Sequence, residues 1–231
     1  MYYIFSLMEH KYIDIHTHST NKINNTISVI NIIINEKRLP DLNNNCFYSA
    51  GIHPWYIDNP EKQFDLLAEI ISNKNIIAIG ECGIDRIKGA LNDLQMRVFE
   101  FQISLSIKVE KPLIIHSVKS SDIILQLNKK YKNTTPWILH GFKGNQNIAN
   151  QLIKKNILLS FNPGIMFEKE AKIAYLEEIP VESFFLETDT YESNQLPALY
   201  SFIAKKRNIT VEELLGQQKH NFEQVFNVGI K

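Results

Sequence analysis

The residues best able to do chemistry in this chain are histidines and carboxylates at the ends of separate apolar runs. Five runs carry six such side chains, which are His16, His18, Glu81, His116, His140 and Asp189. Alternate residues of a strand share a face, so Asp14, His16 and His18 point the same way. Imidazole nitrogen and carboxylate oxygen are ordinary metal ligands. The repeated pattern indicates one shared metal site, in which Asp14 would orient a ligand from one layer deeper.

The number of candidate ligands predicts how many ions the site holds. Four imidazoles and two carboxylates are more than one four-coordinate ion needs. They suit two divalent ions about 4 Å apart, bridged by a carboxylate. A nitrogen-rich set favours zinc, manganese, iron or cobalt over magnesium. Such a pair activates water and stabilises the oxygens that gain charge in phosphoryl transfer.

Eight apolar runs of strand length must position these side chains. The runs are Tyr12–His16, Thr26–Ile34, Phe47–His53, Ile76–Glu81, Pro112–His116, Trp137–His140, Ile157–Phe161 and Phe184–Asp189. Most are nearly continuous in Ile, Leu, Val and Phe, as in strands that a parallel sheet buries on both faces. Eight strands alternating with helical patterns predict an α/β fold, a (β/α)8 TIM-type barrel, whose active site lies at the C-terminal ends of the strands.

Helical patterns lie between most of the runs. They are Glu61–Ser72, Leu91–Lys108, Ser121–Tyr131, Gln146–Lys155, Lys169–Glu178 and Leu196–Lys206. Thr210 and Glu213 form a capping-box pattern that opens one more helix. About ten residues separate the first two runs and about a dozen separate the next two, which is short for a helical crossover. The first quarter of the barrel is therefore expected to have irregular or missing helices.

Length and composition fit a single barrel-sized domain over residues 1–231. Lys+Arg and Asp+Glu both number 25, which argues against attachment to nucleic acid by bulk charge alone. The two cysteines, Cys46 and Cys82, match no metal or redox spacing and favour a reduced compartment. The N-terminal stretch lacks the features of a signal peptide, and no run has the length of a membrane span. The sequence predicts a cytoplasmic protein without membrane attachment or an obligate protein partner.

Short motifs that match a known family follow its order along nearly the whole chain. They are Asp14–His18, Gly51–Pro54, Gly80–Asp85, Gln95 with Phe99, Pro112–His116, His140–Gly144, Leu186–Asp189, and Asn221 with Phe226. With these motifs the chain resembles the TatD family of metal-dependent deoxyribonucleases, which are amidohydrolase-like barrels. It would be a short, divergent member.

The resemblance implies two groups of metal ligands that share Glu81. The first ion would be bound by His16, His18 and Asp189, and the second by His116 and His140. Glu81 would bridge the ions, and Asp189 would take the proton from the attacking water. These two carboxylates are thus the catalytic candidates.

Residues that would hold the substrate are less well marked. The resemblance places His53 near the substrate, with packing as its alternative role. Lys119 and Lys143 follow strand ends and are candidates for phosphate contact, or else ordinary solvated lysines. The family often has an arginine where this chain has Val118, and a proline where it has Tyr191. Arginine binds phosphate in a bidentate manner and lysine acts as a point charge.

Three functions remain open from the sequence. The first is a nuclease or phosphodiesterase that acts on DNA ends or short single strands by means of two-metal-activated water. The second keeps the metal site but hydrolyses a small ester, lactone, amide or acyl substrate. The third is a non-catalytic metal-binding scaffold.

Overall fold

The strands form one parallel sheet that closes into a barrel. The computed structural model describes residues 11–21, 24–35, 42–43, 46–132 and 134–230. The strands run in sequential order and are β1 Tyr12–Thr17, β2 Thr26–Ile33, β3 Phe47–Gly51, β4 Ile76–Asp85, β5 Leu113–Val118, β6 Trp137–Leu139, β7 Ile157–Phe161 and β8 Phe184–Leu186. A parallel bridge between Thr17 and Asp189 joins the last strand to the first. The predicted (β/α)8 TIM-type fold is confirmed.

The described residues contain seven α-helices, all of which follow β3. They are α1 Pro60–Ile70, α2 Asn92–Val109, α3 Ser121–Tyr131, α4 Gln146–Ile153, α5 Glu170–Ile173, α6 Leu196–Arg207 and α7 Val211–Phe226. Short 3-10 segments cover Pro163–Phe167, Ala174–Glu177, Val181–Ser183 and Ser193–Gln195. The region predicted as one helix from Lys169 to Glu178 is thus α5 followed by a 3-10 turn. The capping box of Thr210 and Glu213 is present at the start of α7.

The first quarter of the barrel has the irregularity that the short spacings predict. The described residues between β1 and β2, and between β2 and β3, contain no helix. Elsewhere α1 to α7 pack on the sheet through one apolar cluster that includes Leu67, Phe99 and Leu199. A second cluster joins side chains from opposite strands, such as Ile13 and Ile114, with Phe222 of α7. This second cluster fills the barrel beneath the site.

Strand β4 is longer than the apolar run predicts, and Glu81 lies inside it. The prediction that Glu81 ends its strand is wrong, because pairing with β5 continues to Asp85. His116 also lies two residues before the end of β5. The backbones can approach so closely because Gly80 and Gly83 have no side chain. A Cβ on Gly83 would lie 2.1 Å from the carbonyl oxygen of His116.

Replacing Gly83 by alanine should strongly destabilise the barrel. Its φ of +138° costs a residue with a side chain about 1–3 kcal/mol, and the overlap with the His116 backbone adds to that cost. Gly216 in α7 is the matched control, since a Cβ there meets nothing within 4 Å. Gly216→Ala should stabilise by about 0.5–1 kcal/mol. Urea unfolding of both variants measures the two effects, and equal stabilities would contradict the prediction.

Candidate metal centre

The other five predicted ligands gather around the carboxylate of Glu81. Glu81 Oε2 lies 3.3 Å from Nε2 of both His16 and His18. Glu81 Oε1 lies 2.8 Å from His116 Nδ1 and 2.8 Å from His140 Nε2. Asp189 Oδ1 completes the first group at 3.9 Å from His16 Nε2 and 3.6 Å from His18 Nε2. The two oxygens of Glu81 therefore face two separate sets of nitrogens.

This arrangement strongly favours the ionised form of Glu81. The side chain is buried, and burial alone would raise its pKa. The charge of His140, hydrogen bonds from His116 and His140, and the nearby His16 ring outweigh burial and hold the pKa of Glu81 well below its usual range. The hydrogen bond to Glu81 likewise raises the pKa of His18 above its ordinary value. Glu81 is thus a fixed negative charge surrounded by imidazoles.

His16 gives the clearest sign that the centre suits a metal ion. It is fully buried, and neither ring nitrogen has a hydrogen-bond partner among the described residues. Buried polar atoms are nearly always satisfied, so an orphaned imidazole indicates a missing partner. Ligand atoms of His16, His18 and Glu81 lie within 4.8 Å of one another, as do those of His16, His140 and Asp189. The side chains present therefore fit divalent cations.

Asp189 is held against β1 by two backbone hydrogen bonds. Its N–H donates to the carbonyl of His16 at 2.9 Å, and its own carbonyl accepts from the N–H of His18 at 3.0 Å. Its φ of +53° lies in the left-handed region, which is uncommon for residues other than glycine. The same contacts that close the barrel thus place Asp189 beside His16 and His18.

Asp14 forms hydrogen bonds with the residue before Asp189 rather than with an imidazole ring. Its carboxylate accepts from Thr188 N at 2.9 Å and from Thr188 Oγ1 at 2.7 Å. Both carboxylate oxygens bind Thr188, so Asp14 does not contact the side chain of a candidate ligand in the way that the sequence predicts. Asp14 instead fixes the residue that precedes Asp189.

Asp14→Asn should change the pH dependence of stability in the metal-free protein. Burial raises the pKa of Asp14 from 3.8 to about 7, against the lowering effect of Thr188. The unfolded chain ionises first, so the stabilisation from Asp14 is complete below about pH 4 and is lost as pH rises to about 7. The variant should therefore gain up to about 4 kcal/mol relative to wild type across this range.

Denaturant unfolding from pH 4 to 8 in the presence of a chelator measures this difference. An asparagine fits the site because the Thr188 hydroxyl can accept from its amide and donate to Thr17 Oγ1, 2.9 Å away. Asp65→Asn on the exposed face of α1 controls for the loss of one negative charge. A constant difference between Asp14→Asn and wild type would contradict the buried, neutral Asp14.

Two carboxylates behind the centre hold two of the histidines from their far sides. His116 Nε2 lies 3.1 Å from Asp85 Oδ2, and His140 Nδ1 lies 3.2 Å from Glu187 Oε1. Asp85 also accepts from the N–H groups of Ile87 and Lys88 and so holds the loop that follows β4. Sequence reasoning missed Glu187. Its signal was the alternation in Leu186–Asp189, which puts Glu187 and Asp189 on one face.

Asn31 on β2 is a second residue that sequence reasoning missed. Its Oδ1 accepts from the backbone N–H of Glu81 at 2.8 Å and from Ser49 Oγ at 3.1 Å. These bonds anchor β4 at the residue that carries the central carboxylate. The lone amide side chain of β2 was the available signal.

His53 also reaches Glu81 but differs from the other histidines. Its Nε2 lies 3.0 Å from Glu81 Oε1, and its Nδ1 accepts a hydrogen bond from the backbone N–H of Trp55 at 3.0 Å. Burial lowers the pKa of His53, although Glu81 opposes that shift. The ring is thus a buried part of the centre, so a purely peripheral packing role does not fit.

The two predicted lysines lie at the mouth of the centre. Lys119 and Lys143 are exposed and line a cavity of about 430 Å³ together with His116, His140 and Asp189. Arg86, on the neighbouring strand end, is engaged by the carboxylate of Asp122 through two 2.8 Å hydrogen bonds. The lysines therefore border the same space as three of the candidate ligands.

A parallel barrel that gathers histidines and carboxylates at the C-terminal ends of its strands is the arrangement of a metal-dependent hydrolase. Comparison with known proteins then gives the family. The sequence profile of the family described as TatD related DNase matches residues 14–227, so the chain belongs to this family.

Individual relatives agree with this assignment. An uncharacterised metal-dependent hydrolase of Buchnera aphidicola subsp. Baizongia pistaciae is 32% identical over 202 residues, which are 80% of this chain and 76% of the relative. Deoxyribonuclease Tat-D of Schizosaccharomyces pombe is 29% identical, over 64% of this chain and 52% of the relative. The solved structure of YJJV, a TatD homologue of Escherichia coli, has the same fold with a TM-score of 0.81. It covers 96% of this chain and all of its own chain at 18% identity.

No helix in the described part of the chain is long and apolar enough to cross a membrane.

Proposed function

We propose that this hydrolase cleaves phosphodiester bonds at DNA ends or in short single strands, using two divalent ions. The observation that carries the proposal is the position of Glu81, whose two oxygens face two separate sets of imidazole nitrogens. A single carboxylate placed in this way is suited to bridge two cations. The bound ions would lower the pKa of a water molecule and stabilise the charge gained by the phosphate.

The two oxygens of Glu81 divide the other ligands into two groups, one for each ion. Residues that would hold the first ion are His16, His18 and Asp189, and those that would hold the second are His116 and His140. Asp189 is one-fifth exposed, so among the carboxylates of the centre it is the one that opens to the cavity and to water. It would therefore take the proton from the attacking water. The nitrogen-rich set favours zinc, manganese, iron or cobalt over magnesium.

DNA as the substrate is supported by the family and by the cavity. The relative from Schizosaccharomyces pombe is named a deoxyribonuclease, and the proposal carries this activity to the present chain. Lys119 and Lys143 border the cavity next to His116 and His140. Two lysines there would meet the phosphates on either side of the cleaved bond as point charges.

A small ester, lactone, amide or acyl compound is the second candidate substrate. It is favoured by the equal numbers of acidic and basic residues, 25 each, and by the lack of an unpaired guanidinium among the described residues of this rim. Arg86 is neutralised by Asp122, and Val118 carries no charge. A substrate without several phosphates would need no further cations.

Parallel assays separate these candidates. Purified protein is first analysed for bound metal, then loaded with zinc or manganese and tested on labelled single-stranded and double-stranded oligonucleotides and on a panel of esters and lactones. The proposal expects cleavage of the oligonucleotide and steep inhibition by salt. Turnover of esters alone would favour the second candidate. Metal binding without turnover of any substrate would favour a non-catalytic metal-binding scaffold, and failure to bind metal under any loading condition would favour a non-catalytic interaction scaffold.

A single domain over residues 1–231 and a cytoplasmic location stay predictions from the sequence. The same holds for the absence of an obligate protein partner.

A further inference from the structure

We propose that Asn162 is a substrate-binding residue, whose side-chain Nδ2 donates a hydrogen bond to an anionic phosphate oxygen in the cavity beside His140. The identity of that oxygen rests on the proposed function, whereas the position of the donor follows from contacts within the barrel. Asn162 directly follows β7, so it lies at the C-terminal ends of the strands. In a parallel barrel, the groups that act on a substrate gather at these ends.

The loop that follows β7 sets the orientation of this amide. Asn162 Oδ1 accepts from the backbone N–H of Gly164 at 3.1 Å. Only the oxygen of an amide side chain can accept such a bond, so the opposite end of the group is the donor Nδ2. Tyr191 packs against the same turn, because a Cβ on Gly164 would lie 2.6 Å from its Oη and 3.0 Å from Asn162 Oδ1. These contacts hold the side chain in one orientation.

Nδ2 is a buried donor that no described residue satisfies. Asn162 is 4% exposed, and among the described residues its side chain makes one hydrogen bond, the one at Oδ1. Buried polar groups are nearly always paired with protein, water or ligand. Nδ2 lies beside Gly141, since an added Cβ there would be 3.5 Å away. Gly141 has no side chain to cover the amide, so the donor stays open to the cavity that both residues line.

The charges around the cavity favour an anionic acceptor. Among the described residues that line it, the cationic side chains are those of Lys119 and Lys143, and the carboxylate is that of Asp189. The proposed function assigns this carboxylate to the first ion. An amide N–H binds an acceptor atom, and an ionised oxygen is the stronger acceptor. The backbone N–H of Gly141 is already used by Glu187 at 2.8 Å. The side-chain amide therefore supplies a donor that this stretch of backbone does not.

Two substitutions separate substrate binding from support of the loop. Asn162→Asp keeps the acceptor for the Gly164 N–H but replaces the donor with a negatively charged oxygen. Asn162→Ser keeps an acceptor that can bond to the backbone two residues on, lacks the amide and adds no charge. With metal-loaded protein and a short single-stranded oligonucleotide, both should lower kcat/KM by about 10–100-fold, mainly through a higher KM. The serine variant should keep the wild-type salt dependence, because it removes no charge.

Asn59→Asp is the matched control for these variants. Asn59 Oδ1 also accepts a backbone N–H, that of Lys62 at 3.3 Å, and the residue is exposed and does not line the cavity. Elemental analysis checks that Asn162→Asp recruits no additional ion. A residue that merely supports its loop would tolerate aspartate, so wild-type kcat/KM in Asn162→Asp would overturn the proposal.

A spectroscopic measurement reads the donor without turnover. In 15N-labelled, zinc-loaded protein, the Nδ2 signal of Asn162 is assigned by its loss in Asn162→Ser, and thymidine monophosphate is added as the probe. The signal should shift and saturate, while that of Asn59 should stay in place. Saturable shifts of other cavity signals without a shift of this one would contradict the donor role. Absence of oligonucleotide cleavage by wild type would instead refute the proposed function, since binding of the nucleotide at Asn162 is read separately.

Discussion

Glu81→Ala is expected to abolish metal-dependent hydrolysis and to leave no site for two ions. The carboxylate is the one group that both sets of imidazoles share, with Oε2 toward His16 and His18 and Oε1 toward His116 and His140. Without it, the remaining ligands cannot hold two cations side by side against their mutual repulsion. Losing about 4 kcal/mol of transition-state stabilisation corresponds to a decrease of about 10³-fold, which we expect as a minimum.

Glu81→Gln separates the charge of this residue from its size. Glutamine keeps the shape and one acceptor oxygen but replaces the other oxygen with an amide that cannot bind a cation. We expect at most one tightly bound ion per chain and activity nearly as low as in Glu81→Ala. Elemental analysis gives the stoichiometry, and an oligonucleotide assay gives the rate.

Glu69→Gln on the exposed face of α1 is the matched control for this substitution. Circular dichroism of the metal-free proteins checks that each variant folds. Full metal-dependent activity in either Glu81 variant would show that the reaction uses another centre.

Much of the fold was predictable because the strands of a parallel barrel are continuous apolar runs. The runs that begin at Tyr12, Ile76 and Trp137 are strands in the structure, and the ligands lie at or just beyond their C-terminal halves. The lack of a helix among the described residues between β1 and β3 was also predictable, since the spacing between runs was short for a helical crossover. These features depend on periodicity and distance along the chain, which a single sequence displays.

The length of β4 was not predictable in the same way. Pairing continues past Glu81 because Gly83 lets the backbone of β5 approach, and that approach involves a strand far away in sequence. The hydrogen-bond partners of buried side chains were not predictable for the same reason, because they lie on strands that are distant in sequence. His140 and Glu187 are 47 residues apart, and only the curvature of the sheet brings them together. A sequence indicates which groups are able to bind metal, whereas their protonation depends on such distant partners.

Glu187→Ala should lower the affinity for the second ion without abolishing the binding of the first. Glu187 is fully buried, and its Oε1 accepts from the Gly141 N–H at 2.8 Å and faces His140 Nδ1 at 3.2 Å. It thereby fixes both the orientation of the His140 ring and the nitrogen that carries the proton. Loss of such a partner typically lowers metal affinity by about 10–100-fold. The charge of Glu187 also acts on His16, but among the described residues Glu187 forms no hydrogen bond with His16 or His18. The affinity for the first ion should therefore change less and serves as an internal reference.

Glu187→Gln distinguishes the negative charge from the acceptor atom. Its amide oxygen can still accept from His140 and Gly141, so only the charge is lost and the affinity should fall toward the lower end of that range. Competition titration of zinc against a chromophoric chelator measures each ion, with Glu69→Gln as the control. Wild-type affinity for both ions in the alanine variant would contradict the role of Glu187. Equal losses of affinity for the second ion in the two variants would show that the negative charge matters. Wild-type affinity in Glu187→Gln would show that the second ion requires only the acceptor atom that sets the tautomer of His140.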